Sequence, residues 1–206
     1  MSRLSFVAVL CAIAAAQPAQ PDPISVGIVV DSSGSIGAKM RYSRQVIDQF
    51  LKTAQPQDEF FLVKASDHPA VVTGFTSDAD QLLSRLSFMK SAGRSALLDA
   101  IQTAIAELKQ ANNTHKIVLV ISDGGDNASS LGKGDVEELA QRSDVRIFAI
   151  GVHEAPEVRR RSPEEAAGQQ LLTDIAEHTG GKYFAIAPGL ERLSDVGAAA
   201  GEAMRK

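Results

Sequence analysis

From residue 24 to the end of the chain, short aliphatic and β-branched runs alternate with segments of helical apolar spacing, and this alternation restricts the fold more than any other feature. Residues 24–30 (ISVGIVV) and 117–121 (IVLVI) lack the in-and-out polarity of a half-exposed strand, so both faces of each must be covered. Residues 146–152 and 182–186 read as further strands. Between them Met40, Val46, Ile47, Phe50 and Leu51 mark a helix over 36–54, ended by Pro56. Leu82, Leu83 and Leu86 mark a second after the cap residues Thr76, Ser77 and Asp78, and Leu97, Leu98, Ile101, Ile105 and Leu108 a third over 95–109. Further helices are expected around 136–141, 171–178 and 190–204. Parallel strands need crossover connections, and these helices supply them. The expectation is an α/β fold, a Rossmann-like doubly wound sheet, mostly parallel, with helices on both faces. One interruption is informative: residues 60–65 and 70–75 are separated only by the turn-forming SDHP, so they should pair as an antiparallel hairpin at a sheet edge.

The N-terminal residues follow different rules. Arg3 precedes an apolar run over 4–16, and Ala14 and Ala16 offer small residues for cleavage before Gln17, the pattern of a signal peptide over 1–16. That run falls short of the roughly 20 residues a bilayer span requires, so no membrane span is expected after cleavage. The protein is expected to be exported, to a periplasmic or extracellular space. Pro18, Pro21 and Pro23 make 17–23 an extended leader, and 24–206 the folded domain. Cys11, the only cysteine, would leave with the signal, which removes disulfide and thiol chemistry from the mature chain. A net charge of −4, with Arg159, Arg160 and Arg161 as the densest basic run, gives no footprint for nucleic acid.

In open sheets of this type a ligand binds beyond the carboxyl ends of the strands. The segments expected there carry oxygen-bearing side chains: Asp31, Ser32, Ser33, Gly34 and Ser35; then Ser95; then Asp123 with Asp126. Hard divalent cations take oxygen ligands, and Mg²⁺ uses only one or two carboxylates. Alternation along the chain lets Ser33 and Ser35 face the same way, with Gly34 permitting the turn between them. Asp126 and Asn127 read as turn or cap residues, Asp99 as a surface position one helical turn beyond Ser95, and the charged stretch at 154–165 as a solvated loop. The four histidines have no metal-ligand spacing.

A strand ending in DSSGS, a serine opening a helix in GRSALLDAI, and VLVISDGGDN after another strand together resemble the von Willebrand factor A domain, most nearly the bacterial exported members. The resemblance runs over 24–206 and implies a metal-ion-dependent adhesion site. In that family's arrangement Ser33 and Ser35 would bind the cation directly, with Asp31 and Asp123 holding it through water. Ser95 stands where the family usually has threonine, keeping the hydroxyl without the methyl. The cation implied is Mg²⁺, with Mn²⁺ and Ca²⁺ as alternatives. The resemblance further implies a protein partner whose Asp or Glu carboxylate completes the coordination, hence recognition and not catalysis.

Two other readings stand beside it. A metal-dependent phosphatase-like hydrolase could use Asp31 as its nucleophile, but that chemistry wants a second carboxylate two residues on, where this chain has Ser33. The chain has neither a phosphate-binding loop after Gly34 nor a G-x-S-x-G nucleophile elbow. The other reading is a structural module of the same fold that binds no metal.

Overall fold

Eight consecutive buried residues, from Ile24 to Asp31, form the first strand, and their burial on both faces sets the plan of the molecule. The computed structural model describes residues 21–34, 40–152, 163–186 and 193–206, with side chains from 167 and from 195 in the last two segments. The expected signal segment over 1–16, Ser35, and Arg159, Arg160 and Arg161 lie outside the described residues.

The strands are β1 (Ile24–Asp31), β2 (Glu59–Ala65), β3 (Ala70–Thr76), β4 (His115–Ser122), β5 (Val145–Val152) and β6 (Tyr183–Ile186). The helices are α1 (Met40–Leu51), α2 (Ala79–Phe88), α3 (Leu97–Glu107), α4 (Lys133–Arg142), α5 (Pro163–His178) and α6 (Leu193–Met204). They build one sheet in the order β3-β2-β1-β4-β5-β6. All neighbours are parallel except β2 and β3, the expected hairpin, which is antiparallel with two register shifts.

Side-chain alternation divides the core in two. Val26, Ile28, Val30, Leu119 and Ile121 face α1, α2 and α6, whereas Val29, Phe61, Val63, Val118 and Val120 face α3, α4 and α5. Helices therefore cover both faces, as the apolar runs require.

Two helix starts differ from expectation, and the expected start of the first helix, over 36–39, lies outside the described residues. The third helix opens at Leu97, two residues after Ser95. The fifth begins at Pro163, eight residues before the expected start at Leu171. Residues 163–170 (PEEAAGQQ) carry no large apolar side chain, so apolar spacing cannot reveal that half of the helix, although a proline followed by two acids is a helix-opening signal.

The strand order reverses between β1 and β4: the chain runs outward through β2 and β3, then returns to the other side of β1. The helix after β1 packs on one face and the helix after β4 on the other, so their two loops diverge. A crevice at this point is where doubly wound sheets place their ligands.

Candidate functional site

Register brings the first and third loops together. Val30 lies opposite Ile121, so Asp31 and Ser122 end adjacent strands side by side. Asp31 is fully buried, and both its oxygens are engaged: Oδ1 accepts the Ser33 N–H at 2.8 Å and Oδ2 accepts the Ser122 hydroxyl at 2.7 Å. Ser122 Oγ in turn accepts the Gly124 N–H at 2.9 Å, and Asp123 Oδ1 accepts the Gly125 N–H at 3.1 Å. Burial pushes the Asp31 carboxyl up to about 6; the bonds from Ser33 and Ser122 oppose the rise, and the nearby Asp123 carboxylate adds to it.

Backbone contacts attach the second loop. The Ala92 N–H donates to Ser32 C=O at 2.8 Å, the Gly34 N–H to Gly93 C=O at 3.1 Å, and the Ala96 N–H to Ser66 C=O at 3.1 Å. The loop from the end of α2 to α3 is thereby laid against the DSSG turn.

Ser95 is the junction. Its N–H donates to Asn127 Oδ1 at 3.0 Å, and its C=O accepts the N–H groups of Asn127 and Ala128, both at 2.9 Å. Its own Oγ is buried and finds no hydrogen-bond partner among the described residues. Leaving a buried hydroxyl unpaired costs about 1–3 kcal/mol; the hydroxyls of Ser43 and Thr73 share that state, but Ser95 Oγ is the one on the loops that meet at the strand ends.

Ser95 does not cap α3 with its side chain. The N–H of Leu97 donates to Asp126 Oδ1 at 3.0 Å, and those of Leu98 and Asp99 donate to Ser129 Oγ at 3.0 and 3.2 Å. Ser129 passes its own proton to Asp126 Oδ1 at 2.7 Å. The orphan donors of the helix start are thus satisfied by the third loop, which releases the Ser95 hydroxyl from capping. Asp126 has the cap role read for it, exercised across 29 residues of sequence. The surface reading of Asp99 is corrected: its carboxylate accepts the N–H groups of Ser130 and Leu131 at 3.0 to 3.1 Å and fastens the far side of the same loop.

Behind Asp123 the packing is backbone against backbone. Gly124 adopts φ +84, and a Cβ there would lie 2.3 Å from Gly168 C=O in α5; a Cβ on Gly168 would lie 2.5 Å from Asp123 C=O. Glycine at both positions lets α5 support the Asp123 loop directly.

Of the residues read from sequence, Asp31, Ser33, Ser95 and Asp123 are all buried on the three loops that this bonding joins, and Ser35 lies outside the described residues. No three His, Cys, Asp or Glu side chains gather into a cation site among the described residues. A cation here would rest on two carboxylates and on hydroxyls, a donor set that suits a hard ion keeping part of its water. Sequence reasoning passed over Ser122 and Ser129, for which only their place beside acidic loop residues gave a signal.

Residues 26–125 match the family model of the von Willebrand factor type A domain. Over that stretch the chain is similar to the von Willebrand factor type A domain, and its sheet has that domain's fold. An uncharacterized protein of Borreliella burgdorferi is 26% identical over 180 residues, covering 77% of this chain and 52% of that protein. Human integrin alpha-X is 28% identical over 183 residues, covering 82% of this chain and 15% of the integrin. The chain thus spans about half the length of the first relative and a small part of the second. Among solved structures, an aerotolerance-related membrane protein from Bacteroides fragilis, crystallised with multiple mutations to serines, superposes with TM-score 0.72 at 17% identity, covering 88% of this chain and 98% of that one. The vWF domain of the type V pili tip protein Mfa5 from Porphyromonas gingivalis gives 0.71 at 13% identity, covering 89% and 95%. These identities speak to the fold of the A domain alone.

Proposed function

We propose that this A domain is a metal-dependent protein-binding module, in which Ser33, Ser35, Ser95, Asp31 and Asp123 hold a divalent cation, Mg²⁺ first, and a partner's Asp or Glu carboxylate completes its coordination. The observation that carries the reading is the Ser95 hydroxyl, buried without a hydrogen-bond partner among the described residues while a second loop caps the helix it precedes. A bound cation would supply the electron-pair acceptor that this oxygen lacks. A shell built mainly of neutral hydroxyls and water leaves much of the ion's charge uncompensated, which favours an incoming anion. The chain's own residues fix the donors: Ser122 and the Ser33 N–H orient Asp31, and Asn127 orients Ser95.

Binding is favoured over hydrolysis by the state of Asp31. An aspartyl nucleophile of that type works with a second carboxylate two residues on, where this chain has Ser33, and both Asp31 oxygens are spent on orienting contacts from Ser33 and Ser122. Pilus-tip and membrane proteins among the similar structures favour an exported setting and a protein partner. No helix among the described residues is long and apolar enough to cross a membrane.

Thermal melts of the purified domain with Mg²⁺, Mn²⁺ or Ca²⁺ test the cation. At 100 times Kd a single site adds about 2.7 kcal/mol, which raises Tm by roughly 5–10 °C in a domain of this size. Ser95→Ala should melt a few degrees above wild type in chelator, since it removes a buried unpaired hydroxyl, and should lose most of the cation response. If no cation raises the wild-type Tm, the metal reading is wrong.

Asn127 gives a second, independent check. Its side chain touches Ser95 through the backbone, so Asn127→Ala should weaken cation binding about tenfold by calorimetry, by freeing the Ser95 loop. Asn127→Asp keeps the acceptor and should retain near wild-type affinity. Equal loss in both variants would show that this hydrogen bond does not position Ser95.

A further inference from the structure

The loop that delivers Ser95 begins with the most exposed large apolar side chain among the described residues. Phe88, the last residue of α2, is 79% exposed, against 39% for Val71, the other large apolar side chain in that class. Its backbone is held in place: Leu86 and Met89 on either side are buried in the core, and Arg44 Nη2 donates to the carbonyls of Ser87 at 3.1 Å and Met89 at 3.2 Å. The ring is thus offered to solvent from a clamped segment, not from a fraying helix end. Rigid aromatic anchors of this type carry a large share of binding energy at protein interfaces.

The surrounding charge is one-sided. Residues 85–94 (RLSFMKSAGR) contain three basic residues and no acidic one, in a chain whose net charge is −4. Arg85, Lys90 and Arg94 are exposed, and none forms an ion pair with a described residue. Asp67 Oδ1 lies 3.5 Å from where a Cβ on Gly93 would be, so one acidic side chain borders this strip at Gly93. Ala92 and Gly93 are bonded to Ser32 and Gly34, so this basic and aromatic strip continues directly into the site loops.

We infer that residues 85–94 form the specificity surface beside the site, and that its partner is a protein segment in which an apolar side chain and acidic residues flank the carboxylate presented to the cation. The inference deepens the proposed metal-dependent recognition and rests on it for the position of that carboxylate. A protein segment fits better than an anionic membrane, because a single aromatic ring with three cationic neighbours offers little apolar surface for insertion. Complementary charge speeds encounter and sets register, and the ring fills an apolar pocket or packs on an aliphatic chain of the partner.

Fluorescence anisotropy with three labelled dodecapeptides in Mg²⁺ tests it: one with a central Asp, a neighbouring Leu and flanking Glu; one with Gln for the flanking Glu; and one with Ser for the Leu. The first should bind the wild-type domain about tenfold more tightly than either of the others. Phe88→Ser should reduce its affinity about tenfold, and Lys90→Glu with Arg94→Glu should reduce it further at low salt than at high salt. Phe88→Ser should keep the wild-type Mg²⁺ affinity by calorimetry, which shows that the site itself is intact. Equal peptide affinity in wild type and Phe88→Ser overturns the surface. So does Phe88-dependent binding to phosphatidylglycerol vesicles, or Phe88-dependent dimerisation by light scattering, in place of peptide binding. Phe88-dependent peptide binding that persists in chelator supports the surface and refutes the metal reading, which keeps the two failures distinct.

Discussion

Replacing Asp31 by Asn is expected to raise the stability of the cation-free protein and to abolish its response to cation, two effects of opposite sign from one atom exchange. The Asp31 carboxyl is raised from 3.8 to about 6 mainly by burial. At about 1.4 kcal/mol per pH unit, the difference is worth about 3 kcal/mol. A carboxyl whose pKa is higher in the folded state retains its proton there longer than in the unfolded chain, so it is harmless below about pH 4. Between about pH 4 and 6 the unfolded chain gives up this proton while the folded chain holds it, so stability falls by that 3 kcal/mol and levels off above about 6, where the buried charge forms. Asn carries no charge and keeps the bonds: its Oδ1 accepts the Ser33 N–H, and its amide donates to Ser122 Oγ, which has a second lone pair beside the one facing Gly124. In chelator at pH 7, Asp31→Asn should therefore melt about 5–10 °C above wild type and show a flat profile between pH 4 and 7. In saturating Mg²⁺ the wild type should recover and the variant should not move. A wild-type Tm that is constant over that pH range, or a variant less stable than wild type in chelator, would contradict this account. The buried charge on Asp31 costs stability, and the proposed cation would offset that cost.

The parts of the molecule legible in the sequence are those set by periodicity. Strands covered on both faces must be apolar throughout, so 24–30 and 117–121 announce a parallel sheet, and the short SDHP turn announces the antiparallel edge. The loops that carry Asp31, Ser33, Ser95 and Asp123 follow from that layout. What the sequence conceals is who satisfies whom. Ser95 reads as the first residue of its helix, yet the helix opens at Leu97 and Asp126 and Ser129 cap it from about 30 residues away. Asp99 looks like a surface residue because its intrahelical spacing is unremarkable, yet its partners Ser130 and Leu131 lie on another loop. Gly168 gives no apolar signal, since its contact with Asp123 is made by the absence of a side chain. Each concealed element is a long-range polar or backbone contact, which no local pattern encodes.

Removing Asp58 should have the largest effect on stability and none on the site. Asp58 sits just before β2, at the opposite end of the sheet from Asp31, and is buried to 1% exposure. Oδ1 accepts the Ile24 N–H at 3.0 Å and Oδ2 the Gln55 N–H at 2.7 Å, and both oxygens take the Arg205 guanidinium. Arg205 is itself only 12% exposed and also donates to Thr53 C=O at 3.2 Å, so one carboxylate joins the start of β1, the turn before β2 and the residue that follows α6. Asp58→Ala leaves a guanidinium in a nearly water-free place without its counter-charge, for which a loss of about 3–5 kcal/mol is expected. In a domain of this size that lowers Tm by about 6–20 °C. Asp58→Asn keeps an acceptor and should fall between. Cation affinity measured below each variant's melting range should equal that of wild type, because β1 separates Asp58 from Asp31 by roughly 23 Å of extended strand. If affinity fell together with stability in Asp58→Ala, the tie to α6 would have to reach the loops through α1, which α6 packs against. The two ends of the sheet would then act as one mechanical unit, and the independence of fold anchor and binding site argued from their geometry would be lost.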